Sequence, residues 1–205
     1  MQWSQEVNMN KLICTGLACP QPVLLTKKHI EENPGVEKVT VVVDNRAAAE
    51  NVIRFMENSG FTASIELARS NYEIEGLRKK DEPAQCKPYY PSENKKILIM
   101  ITNDAIGNGD RELGGKLMQN FLKTLPEMGD SLWRLVFLNE GVKLSVKDSP
   151  TLPALTQLET MGVSILVCGT CLDYYSLLDK KGIGIITNML DIVTSLQAAD
   201  KIINI

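Results

Sequence analysis

Two cysteine motifs contain the side chains of this sequence that are best suited to covalent chemistry. Cys19 opens the motif Cys19-Pro20-Gln21-Pro22, and Cys168 and Cys171 form a Cys-x-x-Cys pair. A cysteine thiolate is a nucleophile that can hold an extra sulfur atom as a persulfide or exchange with a disulfide. The two motifs therefore predict chemistry carried out by thiols.

Cys19 precedes a segment with helical features. We predict a helix over 20–32 with Pro20 at its first position, where the missing N–H has no cost. This start would put Cys19 at the N-cap, where unsatisfied N–H groups and the positive end of the helix dipole favour a thiolate. The alternative interpretation is a buried cysteine that only packs in the core.

A predicted strand over 163–168 ends at Cys168, and Cys171 follows it. Active sites of open α/β sheets lie at the carboxyl ends of strands. The pair could be a redox dithiol, half of a metal site, or a nucleophile with its resolving partner. A structural zinc site needs four ligands. The other cysteines form no second pair and His29 is the single histidine, so we predict no metal and no cofactor. Two half-buried thiols without a role remain the alternative.

Cys14 and His29 receive less weight as functional residues. Cys14 lies in the first predicted strand and is expected to pack, the alternative being a resolving thiol for oxidised Cys19. His29 is expected to face solvent. It follows Cys19 by ten residues, about 15 Å along the same helix, which argues against a cysteine–histidine catalytic pair.

Polar side chains also end two other predicted strands, at 102–104 and at 139–140. Because the carboxyl ends of parallel strands meet at one edge of a sheet, we expect these side chains to border the same rim as Cys168. Ordinary capping of loops by short polar side chains is the alternative interpretation.

The pattern of elements predicts an α/β protein of two domains. The first, at 1–78, would be a two-layer sandwich in the order βαβαββ. The segment 79–94 is charged, holds three prolines and lacks a hydrophobic period, and we interpret it as a mobile linker. Strands and helices then alternate through 95–205, which predicts a mostly parallel sheet in a three-layer α/β domain.

Composition narrows the classes of partner. The 205 residues carry a net charge of -3, so we predict no nucleic-acid partner. No apolar run reaches the roughly 20 residues that span a bilayer, and the first ten residues lack the features of a signal peptide. We therefore expect a cytoplasmic protein without a membrane span. The odd number of cysteines, five, argues against a disulfide framework.

The first half resembles the TusA/SirA family of sulfur carriers. The resemblance lies in residues 12–22, where a Cys-Pro-x-Pro motif follows the first strand, and in Val43-Asp44-Asn45 before the second helix. It covers about 10–77 and includes the βαβαββ order. The resemblance implies that Cys19 carries a persulfide and hands its outer sulfur to a partner protein.

The second half resembles the DsrE-like family, whose members pass sulfur through a cysteine near a strand end. The fusion of both halves, with residues 168–175 and Thr187-Asn188-Met189, resembles the YedF selenium-metabolism proteins. These resemblances imply a protein donor similar to a cysteine desulfurase, an acceptor protein, and sulfur or selenium as the cargo. They are also consistent with a homo-oligomer.

Our leading hypothesis is a relay in which Cys19 carries a persulfide or perselenide, and Cys168 or Cys171 accepts the atom or resolves it by forming a disulfide. One alternative is a thiol–disulfide redox protein that uses Cys168 and Cys171. Another is a non-enzymatic regulatory or interaction protein.

Overall fold

The structure is a computed structural model that describes residues 10–79 and 95–205. The chain divides into two compact units, Met1–Pro91 and Ser92–Ile205, and each is described by itself. Apart from Lys79, the predicted linker at 79–94 lies outside the described residues, as does Cys86.

The first unit has the predicted order βαβαββ within residues 10–79. Its sheet has the strand order β1-β2-β4-β3, with β1 parallel to β2 and the other neighbours antiparallel. The elements are β1 (Lys11–Ile13), α1 (Gln21–Glu32), β2 (Lys38–Val43), α2 (Arg46–Asn58), β3 (Phe61–Ala68) and β4 (Asn71–Arg78).

The core of the first unit lies between the sheet and its two helices. The β-branched residues of β2 fit a pleated strand, and five of its six residues are buried. Helix α2 buries Ala49, Val52 and Met56, the helical face that the spacing of apolar residues predicts. Asn45 starts this helix by accepting the Ala48 N–H at 2.8 Å, which satisfies one of the free donors of the first turn.

The second unit contains a parallel sheet with the strand order β8-β7-β6-β5-β9. Within residues 95–205 the strands are β5 (Ile97–Ile101), β6 (Leu132–Phe137), β7 (Ser164–Cys168), β8 (Ile185–Thr187) and β9 (Lys201–Asn204). The α-helices are α3 (Arg111–Thr124), α4 (Leu152–Thr160), α5 (Gly169–Tyr174) and α6 (Met189–Ala198). Short 3-10 segments cover Leu125–Ser131, Asn139–Ser145 and Leu178–Lys180.

Both faces of this sheet are covered. Neighbouring residues of one strand point to opposite faces, yet Leu98 and Ile99 are both fully buried, as are Leu135 and Val136. Continuous apolar burial of this kind is typical of a parallel sheet between two layers of helices, so the predicted three-layer α/β architecture is confirmed. The structure adds helix α5 directly after β7, which the sequence did not predict.

Candidate thiol sites

Cys19 lies on an exposed loop immediately before α1. The helix begins at Gln21 with Pro20 at the N-cap, so the sequence prediction placed the helix start one residue too early. The Gln21 N–H donates to the Ala18 carbonyl at 2.9 Å, and the Val23 N–H donates to the Pro20 carbonyl at 3.0 Å.

These hydrogen bonds change the expected environment of the Cys19 sulfur. The two prolines of the motif have no N–H, and the neighbouring N–H groups of the first turn donate to backbone carbonyls. The prediction that unsatisfied N–H groups would point at the sulfur is therefore wrong. Among the described residues, none donates a hydrogen bond to Cys19 Sγ.

The loop before Cys19 is anchored by the corner between β2 and α2. One oxygen of Asp44 accepts the Gly16 N–H at 2.6 Å, and the other accepts Asn45 Nδ2 at 2.9 Å. The hydrogen bond from Gly16, and then that from Asn45, hold the pKa of Asp44 below its usual value. Gly16 has φ of 76°, a conformation that glycine adopts at little cost.

Cys14 directly follows β1 and belongs to the core. It is 1% exposed, its N–H donates to the Val42 carbonyl at 2.8 Å, and burial raises the pKa of its thiol. These features favour the packing role that the sequence predicts.

His29 does not face solvent as expected. The residue is half-buried, and within the described part of the chain its Nε2 atom is buried without a hydrogen-bond partner. The helix surface that carries it is therefore partly covered.

Cys168 and Cys171 lie at the carboxyl edge of the parallel sheet. Cys168 is the last residue of β7 and the N-cap of α5, and it is 4% exposed. Cys171 lies one helical turn later in α5 and is half-buried, and both thiols are free. Of the two residues, Cys171 is the more exposed.

The Cys171 sulfur receives a backbone hydrogen bond from the end of β6. The Asn139 N–H donates to Cys171 Sγ at 3.1 Å. Burial, and then a hydrogen bond with Cys168, raise the pKa of the Cys171 thiol, while the Asn139 N–H acts in the opposite direction. Cys171 is thus a desolvated thiol with one donor that favours its charged form.

A chain of polar side chains continues from Asn139 along the same edge. The Tyr175 hydroxyl donates to Asn139 Oδ1 at 3.0 Å, and Lys143 Nζ lies 4.7 Å from the centre of the Tyr175 ring. Lys143 pairs with Glu140 at 2.6 Å. This hydrogen bond is the main cause that lowers the pKa of Glu140.

Arg111 extends this chain to the end of β5, because it pairs with Asp104 at 2.7 Å and with Glu140 at 3.7 Å. The polar ends of β5 and β6 therefore border the Cys171 site, as the sequence predicts. Thr102 differs, since its hydroxyl donates to the Ile205 carbonyl at 3.1 Å. No sequence pattern indicated a role for Arg111, Lys143 or Tyr175, although Tyr175 follows Cys171 by four residues, a helical spacing.

Comparison with known proteins assigns both halves of the chain. The family model for sulfurtransferase TusA matches residues 10–78, and the model for the DsrE/DsrF-like family matches 95–205. The chain belongs to the TusA and DsrE/DsrF-like families. Membership of both supports a function in sulfur relay.

A curated relative of the TusA domain is MJ0990 of Methanocaldococcus jannaschii, described as a candidate sulfur carrier protein. It is 48% identical over 59 residues, which cover 29% of this chain and 79% of that protein.

Solved structures resemble each domain separately. A SirA-like protein from Desulfitobacterium hafniense is 28% identical and aligns with a TM-score of 0.31, covering 33% of this chain and 93% of that one. The ychN protein from E. coli is 18% identical and aligns with a TM-score of 0.44, covering 54% of this chain and 99% of that one.

The TusA domain and the DsrE/DsrF-like domain each contribute a thiol site. In neither described domain do three or more histidine, cysteine or acidic side chains form a group that could hold a metal ion. Over the same residues, no helix is long and apolar enough to cross a membrane.

Proposed function

We propose that this protein is a cytoplasmic chalcogen relay in which Cys19 carries a sulfur or selenium atom and Cys171 receives it. The observation that carries the proposal is the exposure of Cys19 on an anchored loop of a TusA domain. An exposed thiol is accessible to a donor protein similar to a cysteine desulfurase and to an acceptor. We further propose domains at 1–78 and 95–205, with 79–94 as the linker between them.

Loading of Cys19 needs no oxidant. The Cys19 thiolate attacks the outer sulfur of a persulfide on the donor protein, and the S–S bond of the donor breaks. The donor cysteine leaves as a thiolate, and Cys19 becomes a persulfide. A perselenide donor would load selenium by the same exchange.

Transfer to the second domain repeats this exchange. The Cys171 thiolate attacks the outer sulfur of the Cys19 persulfide, a new S–S bond forms at Cys171, and Cys19 leaves as a thiolate. Cys171 is favoured over Cys168 as the acceptor because it is half-buried, whereas Cys168 is 4% exposed. The Asn139 N–H supports negative charge on the attacking sulfur.

Cys168 would serve as the resolving thiol. Its thiolate attacks the inner sulfur of the Cys171 persulfide, which forms the Cys168–Cys171 disulfide and releases hydrosulfide. The outer sulfur gains the two electrons that the two thiols lose. A dithiol reductant then restores both thiols. Where an acceptor protein takes the sulfur first, this step does not occur.

The first test measures loading of Cys19. In Cys171→Ser, which cannot pass the sulfur on, we expect intact-protein mass spectrometry to detect the mass of one added sulfur after incubation with a cysteine desulfurase and cysteine. Cys19→Ala should abolish the addition because no other exposed thiol is described in the TusA domain, while the control Cys14→Ala should retain it. Absence of added sulfur in Cys171→Ser with Cys19 intact would contradict the carrier function.

The same experiment distinguishes sulfur from selenium. Incubation with a selenocysteine lyase and selenocysteine should add selenium at Cys19 if the resemblance to the selenium-metabolism proteins reflects the cargo. Addition of sulfur alone would restrict the protein to sulfur.

The second test separates the two thiols of the DsrE/DsrF-like domain. After loading, peptide mass spectrometry of Cys168→Ser should detect a persulfide at Cys171, because the resolving thiol is absent. Cys171→Ser should retain sulfur at Cys19 and lose its transfer. Unchanged transfer in Cys171→Ser would contradict the assignment of the acceptor.

A thiol–disulfide redox protein is the second candidate. The position of Cys168 and Cys171, three residues apart at the junction of β7 and α5, favours it, because adjacent thiols can close a disulfide without a carrier. A redox titration of Cys19→Ala decides between the candidates. A Cys168–Cys171 disulfide that forms and is reduced reversibly in this variant, with undiminished thiol–disulfide exchange, would favour redox chemistry without the carrier.

A further inference from the structure

Helix α5 and its C-cap residue contact Asn139 at two points. The sulfur of Cys171 accepts the Asn139 main-chain N–H at 3.1 Å, and the Tyr175 hydroxyl donates to Asn139 Oδ1 at 3.0 Å. Tyr175 is the C-cap of α5, and its N–H donates to the Cys171 carbonyl at 3.1 Å, so it follows Cys171 by one helical turn. A single residue just after β6 therefore bridges the thiol and the tyrosine.

Asn139 adopts a conformation that depends on its surroundings. Its φ of 47° lies in the left-handed region, where asparagine is tolerated better than most residues. The flanking backbone is fixed, because the Leu138 N–H donates to the Ile101 carbonyl at 3.0 Å and the Gly141 N–H donates to the Leu138 carbonyl at 2.9 Å. The hydrogen bond from the Tyr175 hydroxyl to Oδ1 restrains the Asn139 side chain.

The Asn139 N–H must point at the Cys171 sulfur, because the hydrogen bond that it donates favours the ionised form of the thiol. Burial and the neighbouring Cys168 raise the pKa of this thiol, and the Asn139 N–H counteracts them. A hydrogen bond to a charged acceptor is stronger than one to a neutral acceptor. Any displacement of Asn139 would therefore reduce the fraction of Cys171 that is ionised.

We propose that Tyr175 is a positioning residue for the chemistry of Cys171: its hydroxyl holds Asn139 so that the Asn139 N–H stays directed at the sulfur. Lys143 restrains the tyrosine in turn, through its ammonium group above the ring and its ion pair with Glu140. The functional importance of the effect rests on the proposed role of Cys171 as acceptor.

The test is the pH profile of alkylation at Cys171 in the full-length chain. Iodoacetamide modifies the thiolate, and Cys168→Ser removes the competing thiol from the same peptide before mass spectrometry. In this background we expect Tyr175→Phe to slow alkylation of Cys171 at neutral pH by about threefold to tenfold and to displace the profile to higher pH. The matched control is Tyr174→Phe, since Tyr174 is 81% exposed and should leave the profile unchanged.

A double-mutant cycle shows whether Tyr175 acts through Asn139. Asn139→Gly keeps the main-chain N–H and the left-handed backbone but deletes the acceptor of the tyrosine hydroxyl. If the proposal is correct, Tyr175→Phe should have no further effect on the profile in Asn139→Gly. Additive effects of the two substitutions would overturn it.

A purely structural role gives a different result. In that case Tyr175→Phe would lower the melting temperature and leave the pH profile of Cys171 unchanged, which would overturn the proposal. The measurement requires no sulfur donor. If Tyr175→Phe displaces the alkylation profile as expected but no sulfur passes from Cys19 to Cys171, the proposed relay is contradicted. This inference would then still hold.

Discussion

The two thiol sites differ in how the protein surrounds the sulfur. Cys19 is exposed, and the described residues restrain its loop through the hydrogen bond between Asp44 and Gly16 without donating to the sulfur itself. Cys171 is half-buried, and a backbone N–H donates directly to its sulfur. The first site thus provides access, and the second provides a defined electrostatic environment.

The difference originates in the residues that follow each strand. The motif after β1 contains two prolines, which remove N–H donors from the start of α1. At the Cys171 site, the segment that follows the neighbouring strand β6 supplies a donor, the Asn139 N–H. The carrier role proposed for Cys19 requires reaction with both a donor and an acceptor, so few fixed contacts suit it. An acceptor thiol that reacts at one site gains from a fixed donor.

Among the substitutions that should affect the two thiol sites differently, we expect the largest effect from Gly141→Ala. A Cβ at Gly141 would collide with the Ile101 carbonyl oxygen, which is backbone and cannot rotate away. The segment that carries Asn139 must then move away from β5. We expect the substitution to destabilise the full-length protein by about 1–3 kcal/mol in urea unfolding and to slow alkylation of Cys171, while alkylation of Cys19 stays unchanged.

Gly115→Ala is the matched control for this substitution. Gly115 lies within α3, and a Cβ there would meet no atom within 4 Å. Alanine should stabilise the helix by about 1 kcal/mol and leave both thiols unaffected. Equal effects of the two substitutions would mean that the close approach of Gly141 to β5 does not hold Asn139 in place.

The pH dependence of transfer should sharpen the contrast. Because burial raises the pKa of Cys171, the neutral thiol predominates at neutral pH. The thiolate fraction then increases about tenfold per pH unit until the pKa is reached. We expect transfer from loaded Cys19 to Cys171 to accelerate with this slope, as measured by rapid quenching and peptide mass spectrometry in Cys168→Ser. A rate independent of pH would indicate that ionisation of Cys171 does not limit transfer.

The raised pKa of a buried cysteine also makes the folding stability of the protein depend on pH. A group whose pKa is raised on folding stabilises the protein below its unfolded pKa, and the contribution is lost as the pH rises through the folded value. Cys171 and Cys14 both have raised values. The folded protein should therefore lose stability in the alkaline range, and Cys14→Ala should remove part of this pH dependence.

The elements could be predicted from the sequence because local patterns determine them. The spacing of Ala49, Val52 and Met56 indicates the buried face of α2, and Asn45 is a typical N-cap residue. The alternation of strands and helices after residue 95 predicts the parallel sheet. The positions of the polar strand ends follow from that topology alone.

The environment of each sulfur could not be predicted in this way. The contact between Asn139 and Cys171 joins residues that are 32 positions apart, and it depends on a left-handed backbone at Asn139 that no local pattern indicates. The start of α1 differs by one residue from the expected position because Pro20 lies at the N-cap and not inside the helix. One residue at a helix end changes which N–H groups are free near Cys19.

The smallest effect is expected from the anchor of the Cys19 loop. Asp44→Ala removes the acceptor of the Gly16 N–H, whereas Asp44→Asn keeps a side-chain oxygen that can accept it. Asp44 is exposed, so we expect only about threefold faster hydrogen exchange at the Gly16 amide in Asp44→Ala, with a comparable decrease in the rate at which Cys19 is loaded. Asp44→Asn should resemble the wild type in both measurements.

Acid provides an independent check of the same anchor. The pKa of Asp44 is lowered by the hydrogen bond from Gly16, so the contribution of the carboxylate is present above its unfolded pKa and is lost as the pH falls through the folded value. Relative to Asp44→Asn at the same pH, hydrogen exchange at the wild-type Gly16 amide should accelerate only below the ordinary titration range of an aspartate.

The opposite outcome for the anchor is a Cys19 in Asp44→Ala that is loaded as fast as in the wild type while the Gly16 amide exchanges faster. Asp44 would then order the loop without affecting the reactivity of Cys19. The exposure of the thiol, and not the anchoring of its loop, would then be the property that distinguishes the proposed carrier site from the proposed acceptor site.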